Sequence, residues 1–484
     1  MGPSTRNLVF VNKNTKSTSL SNSRDGERAF ILSHVQRRRR QEPAWSQHTS
    51  QIALKQETNN DDSGVLRLLT NPSFNGSDPF HCTIVALDAG NHAMLRFTFD
   101  QGAKLTFLAE AFAPSTFVGR TTQMRHERAI NKRLRRCVED KALMYSTLAY
   151  GSCCQGWMAG IIDQKRPPIY FIDKALQTVR LHLQDAKKPR MDEWLALSIY
   201  SLAITEFWTA TPSLWMRCPE GLEGIIRTPK SENSAARTHL NALLTVVDKA
   251  GGWGQFDPYV LESTILVDKF LALTEFKTPI LPLTWDPISI SLRLVENAIP
   301  KSFGQYLPNK IVSIDLRIIV QDIISYVHHA VSYWSSGQRH ADNETKLFRK
   351  LQALIYRLLY LEDVLEFDDC IRLVTLIFLL NVTQYHGAQV SARTLLPRLR
   401  EALIKARFWS NEFDEGIRFW CLYTAAMTTE VSPDKDWFIC MASRYYLPSV
   451  LGYRVREGLS NCLFLPDRQG SQLSVLEDKL ATLP

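Results

Sequence analysis

Leu347-Phe348-Arg349-Lys350-Leu351-Gln352-Ala353-Leu354-Ile355-Tyr356-Arg357-Leu358-Leu359-Tyr360-Leu361 decides the fold class of this chain. Leu347, Leu351, Leu354, Leu358 and Leu361 recur at alternating steps of four and three residues. On a helix of about 3.6 residues per turn that spacing stacks them along one face. A dimer zipper needs charged flanking positions over about three or more heptads, and this stripe lasts about two. The face is expected to be buried inside its own domain.

The same period recurs on either side. Ile172, Leu176, Val179 and Leu183 share a face, as do Leu195, Ile199 and Leu202. Leu240, Leu243, Leu244 and Val247 repeat it, and Gly251-Gly252 is expected to stop that helix. Ser432-Pro433-Asp434 reads as a helix start, with a hydroxyl cap, proline at the first position and an acid in the first turn. No alternation strong enough for a sheet and no fixed-period repeat is present. Residues 121–484 are therefore expected to form an all-α domain of many antiparallel helices.

Upstream, Pro72, Gly76, Pro79, Gly90, Gly102 and Pro114 punctuate residues 65–120 too often for long helices. That stretch is expected to be an irregular transition packed on the domain. Residues 1–64 are polar, with no sustained apolar period, so burial there cannot offset the entropy of ordering. They are expected to be a disordered basic head.

Formal net charge is +8 over 484 residues. Residues 1–42 hold nine basic residues, ending in Arg37, Arg38, Arg39 and Arg40, against Asp25, Glu27 and Glu42. Such an excess on a polar tail suits a polyanion or the acidic groove of an import receptor. A second basic face is expected at Arg125, Arg128, Lys132 and Arg136, with Arg120, Arg133 and Arg135 nearby. The nine cysteines are scattered and form no C-x-x-C pair, so no zinc cluster or redox motif is encoded locally. Cys153 and Cys154 are expected to pack in a helix within a reducing compartment. The N-terminus has no apolar signal core, and the longest strongly apolar run, Leu373 to Leu380, falls far short of the ~20 residues of a membrane span.

Catalytic signatures are missing. There is no Walker A turn, no G-x-S-x-G elbow and no H-E-x-x-H helix. Gly251-Gly252-Trp253-Gly254 lacks the strand a dinucleotide site requires. His328 and His329 are neighbours, which on a helix points them about 100° apart. One acidic cluster, Glu362-Asp363-Val364-Leu365-Glu366 followed by Asp368-Asp369, has the carboxylate spacing that in an all-α enzyme holds Mg²⁺ and a diphosphate. The competing reading makes it an interhelical loop whose last acids start the next helix at its positive end. The second reading is preferred, and the chain is expected to be neither an enzyme nor a holder of metal or cofactor. The alternative is a cytosolic helical enzyme or pathway accessory protein using Asp363, Glu366 and Asp369.

The order of features resembles the fungal-specific transcription factor domain proteins of filamentous fungi. The resemblance rests on Phe10-Val11-Asn12, Phe30-Ile31-Leu32-Ser33-His34-Val35-Gln36-Arg37-Arg38 and Ser77-Asp78-Pro79-Phe80. It continues in Ala236-Arg237-Thr238-His239-Leu240-Asn241-Ala242-Leu243 running into Gly251-Gly252-Trp253, and in Asp436-Trp437-Phe438. It implies an all-α regulatory domain acting in the nucleus, often on genes of secondary metabolism. The implied partners are an import receptor and a transcription factor or chromatin-associated protein, with no membrane. Many members of the wider family carry a Zn2Cys6 cluster, but no cysteine precedes Cys82 here. Contact with DNA would then be weak or indirect, as phosphate attraction without base readout.

Overall fold

The computed structural model describes residues 83–99, 110–114, 126–159, 162–185, 191–211, 234–286, 304, 306–311, 313–337, 339–383, 391–428, 432–446 and 454–482. The head with Arg37 to Arg40, the Ser77 to Phe80 turn, Arg120 and Arg125 lie outside these residues. Among the described residues every regular element is helical and no strand occurs. The described residues all fall within one compact unit.

The helices run α1 Ala89–Phe97, α2 Glu127–Glu139, α3 Lys141–Ala159, α4 Pro168–Asp185, α5 Glu193–Ala210, α6 Ser234–Lys249 and α7 Pro258–Glu275. They continue as α8 Ile314–Ser335, α9 Ala341–Tyr360, α10 Glu366–Val382, α11 Leu396–Lys405, α12 Glu415–Ala426, α13 Pro433–Tyr445, α14 Arg454–Ser460 and α15 Pro466–Thr482. Neighbours in sequence pack as antiparallel hairpins. Arg133 of α2 reaches Thr147 of α3. Arg357 near the end of α9 pairs with Asp322 early in α8. Tyr446, just past α13, donates to the carbonyl of Glu415 at the start of α12.

The stops and starts follow local chemistry. Gly251 and Gly252 close α6 at φ of 97° and 94°, and the Gly252 N–H reaches back to the Val247 carbonyl at 2.9 Å. Only glycine adopts φ values this far into the positive region without backbone strain. Ser432 caps α13 by accepting from the Lys435 N–H, with Pro433 in the first turn. Leu347, Leu351, Leu354 and Leu358 are buried in α9, and Leu361 is partly buried just beyond it. In α4 the apolar stripe runs out, because Leu183 ends it in solvent beside exposed Leu181.

Three helices, α5, α7 and α10, are buried around their whole circumference, α10 from Cys370 to Val382. In α5, Asp192 caps the start and residues 195–205 are all buried. In α7, Asp257 caps the start and every side chain from Tyr259 to Leu273 is buried. A helix lacking a solvated face belongs at the centre of a multilayer domain. The transition stretch also enters the core. Glu110, Ala111, Phe112 and Ala113 are all buried, and Phe112 is left-handed at φ 66°. Four helices hold this short plug. Lys269 of α7 pairs with Glu110 at 2.6 Å, and Gln352 of α9 donates to the Glu110 carbonyl. Trp334 of α8 donates to the Ala111 carbonyl, and Arg468 of α15 donates to that of Phe112.

Candidate functional site

The basic face begins on α2. Arg128 and Lys132 are exposed one turn apart, and Arg136 is half-buried one turn further on. Most of this charge is locally neutralised. Lys132 sits 2.8 Å from Glu193 and over the Trp194 ring. Arg136 lies 3.2 Å from Glu139 and 3.8 Å from Asp140. Of these three, Arg128 alone makes no ion pair among the described residues. Exposed pairs of this kind contribute about 0–1 kcal/mol, so the face is close to neutral and adaptable.

Arg133 turns the other way. It is fully buried, and its guanidinium donates to Tyr259 at 3.2 Å, Thr147 at 3.1 Å and Ser201 at 2.6 Å. Its neighbours on the inward stripe are Ile130, Leu134 and Cys137. Arg133 shares their spacing of three and four residues, a signal of burial present in the sequence. Burial alone would pull its pKa down, but the surrounding hydroxyls and thiol outweigh that and raise it.

The central helix α7 carries further buried charge. Glu262 is fully buried and receives His126 Nε2 at 2.7 Å and Arg349 Nε at 3.1 Å. Asp268 accepts from the backbone N–H groups of Ile280 and Leu281 and from the Tyr356 hydroxyl. Burial raises its pKa against the pull of those donors. Burial likewise lowers the Lys269 pKa, opposed by Glu110. Each of these groups is engaged in holding helices together, since an unpaired buried charge is strongly destabilising. Lone polar or charged letters in an apolar run were the sequence signal for them, but their partners lie up to 159 residues away.

The acidic cluster is split by the start of α10. Asp363 and Glu366 are exposed, with Asp363 left-handed at φ 50°. Asp368 points inward and accepts from the Ser313 N–H at 2.9 Å, tying α10 to the cap of α8. Asp369 pairs with Arg372 at 2.6 Å, and Arg372 also donates to the Leu361 carbonyl. Glu366, Asp368 and Asp369 all occupy the first turn of α10, where the helix dipole favours acids. A cleft of about 240 Å³ lies nearby, lined by Asp315, Ile318, Ile319, Arg357, Tyr360 and Leu361, and none of the three proposed magnesium ligands faces it. Among the described residues no three His, Cys, Asp or Glu side chains converge to hold a metal ion.

Cys153 and Cys154 are free buried thiols on α3. No described helix is long and apolar enough to cross a membrane. No protein-family model, curated protein or solved structure matches the chain.

Proposed function

We propose that this chain is a nuclear transcriptional regulator that acts through protein contacts of its helical domain. The observation that carries the reading is the pairing of a basic head with a large all-helical body. The helix at residues 236–243 closed by a glycine pair, and Asp436-Trp437-Phe438 on α13, supply the body's share of the resemblance. By that resemblance its targets are genes of secondary metabolism, and its partners are an import receptor and a transcription factor or chromatin-associated protein. DNA contact is weak or indirect, because the arginine run of the head attracts phosphate without reading bases.

The test has two readouts. A fluorescent fusion of the full chain is expected to accumulate in the nucleus, and replacing Arg37, Arg38, Arg39 and Arg40 with alanine is expected to spread it through the cell. The tagged chain is expected to co-precipitate with chromatin at discrete loci. Unchanged nuclear signal in the tetra-alanine variant removes the import role of the arginines. A fusion that never enters the nucleus, or recovers no chromatin, removes the regulator reading.

A further inference from the structure

The turn after α11 holds a residue in an unfavourable place. Arg407 sits in the left-handed region at φ 48°. Its N–H bonds the Ile404 carbonyl, and the next N–H, that of Phe408, reaches back to Leu403 at 3.1 Å. This is a helix stop whose left-handed position glycine fills best. An arginine there carries backbone strain that glycine would relieve. The Arg407 side chain is exposed, and its guanidinium makes no hydrogen bond or ion pair among the described residues. Stability does not explain the choice of residue.

Arg407 borders an aromatic surface. Trp409 is 49% exposed and Ile404 42% exposed. The rings of Trp409, Trp437 and Tyr445 all pack around one buried ring, Phe408, at centroid distances of 5.4, 5.7 and 5.8 Å. They cluster about that ring, at the end of α11 and along one side of α13. Two arginines brace the rings. Arg418 donates to the carbonyls of Ser410 and Phe413 and lies against Tyr445. Arg400 lies over the Trp437 ring at 5.2 Å.

The charge at the α11 end of the patch is positive. Lys405, Arg407 and Arg444 are exposed with no carboxylate partner among the described residues, and Glu412 is the one acid within residues 404–413. Tryptophan, tyrosine and arginine on a firm base are the residue types that dominate protein interfaces. Exposed cations at the rim select a partner of opposite sign.

We propose that the surface of Ile404, Arg407, Trp409 and Tyr445 docks an acidic peptide segment of another protein that carries apolar side chains. The apolar groups pack on Trp409, Ile404 and Tyr445, and the carboxylates meet Lys405, Arg407 and Arg444. A nucleic acid strand fits less well. Arg400 already covers Trp437, and Asp434 and Asp436 interrupt a phosphate track along α13. The proposal stands apart from the nuclear reading above.

The probe is a labelled 16-residue synthetic peptide of alternating Asp or Glu with Leu, Phe and Trp, titrated into the full chain by fluorescence anisotropy. Saturable binding is expected, weakening as salt rises. Trp409→Ala and Arg407→Gly are each expected to weaken it by about tenfold or more. Arg407→Gly is also expected to raise the melting temperature, which separates lost binding from lost folding. Absence of saturable binding, or binding that survives both substitutions, overturns the proposal. So does equal binding of a peptide with lysine in place of every acid. Tighter binding of a single-stranded oligothymidine of equal length overturns the choice of a peptide as occupant.

Discussion

At the residue scale, two arginines five positions apart on α2 have opposite fates. Arg128 is solvated, whereas Arg133 is enclosed by the hydroxyls of Tyr259, Thr147 and Ser201. Arginine tolerates this because its planar fork spreads one charge over several donors. The arrangement also binds three helices at one point, since Thr147 lies on α3, Ser201 on α5 and Tyr259 on α7. Arg133→Ala is expected to destabilise by about 2–5 kcal/mol, through a cavity and the loss of three buried hydrogen bonds. Arg133→Met keeps the stem's volume and is expected to cost less. Arg128→Ala is expected to stay within about 0.5 kcal/mol of the parent. Urea midpoints of the three variants check the order, and equal midpoints for Arg133→Ala and Arg128→Ala would show that position 133 is not buried in solution. Charge counting groups these arginines together, whereas apolar periodicity separates them.

At the element scale, α9 shows what short-range pattern carries. Its leucine stripe is inward-facing as expected, and Leu354 has no exposed surface. Leu354→Ala is expected to cost about 2–5 kcal/mol, visible as a lowered denaturation midpoint. An unchanged midpoint with weakened self-association would instead make the stripe an interface between copies. The caps at Ser432 and Gly251-Gly252 were equally legible, because both are decided within about five residues of the helix end. The plug at Glu110 to Ala113 was not. It is four residues long, has no period, and begins with an acid whose partner Lys269 is 159 residues away. The aromatic surface was half legible. Trp437 and Phe438 stand out in α13, but Phe408 and Trp409 acquire meaning only when the end of α11 meets that helix. The acidic cluster was legible as a helix start, whereas the inward turn of Asp368 depends on Ser313, far upstream on the cap of α8.

At the scale of the whole molecule, the plug joins parts of the chain that are remote in sequence. Through Glu110, Ala111 and Phe112 it ties α7, α8, α9 and α15 together. Loss of any one of these helices exposes the buried Glu110–Lys269 pair or leaves its partner uncompensated, so opening one part destabilises the rest. The buried thiols, on other elements, report whether the rest of the unit unfolds with them. Cys137, Cys153 and Cys154 sit in α2 and α3, while Cys370, Cys421 and Cys462 sit in the C-terminal half. Burial pushes the Cys137 thiol up to about 11 and the Cys154 thiol up to about 12, and it raises Cys370 and Cys462 as well. Near neutral pH these groups are neither ionised nor accessible, so alkylation requires unfolding. Among the described cysteines Cys440 alone is exposed. A brief pulse of iodoacetamide across a urea series, read by peptide mass spectrometry, is expected to label Cys440 at every concentration. The six buried cysteines are expected to become reactive together, at one shared midpoint. Chains of this length often unfold in stages, so coincidence is a demanding result. Two midpoints, one for Cys137, Cys153 and Cys154 and another for Cys370, Cys421 and Cys462, would show that α2 and α3 belong to a separate folding unit.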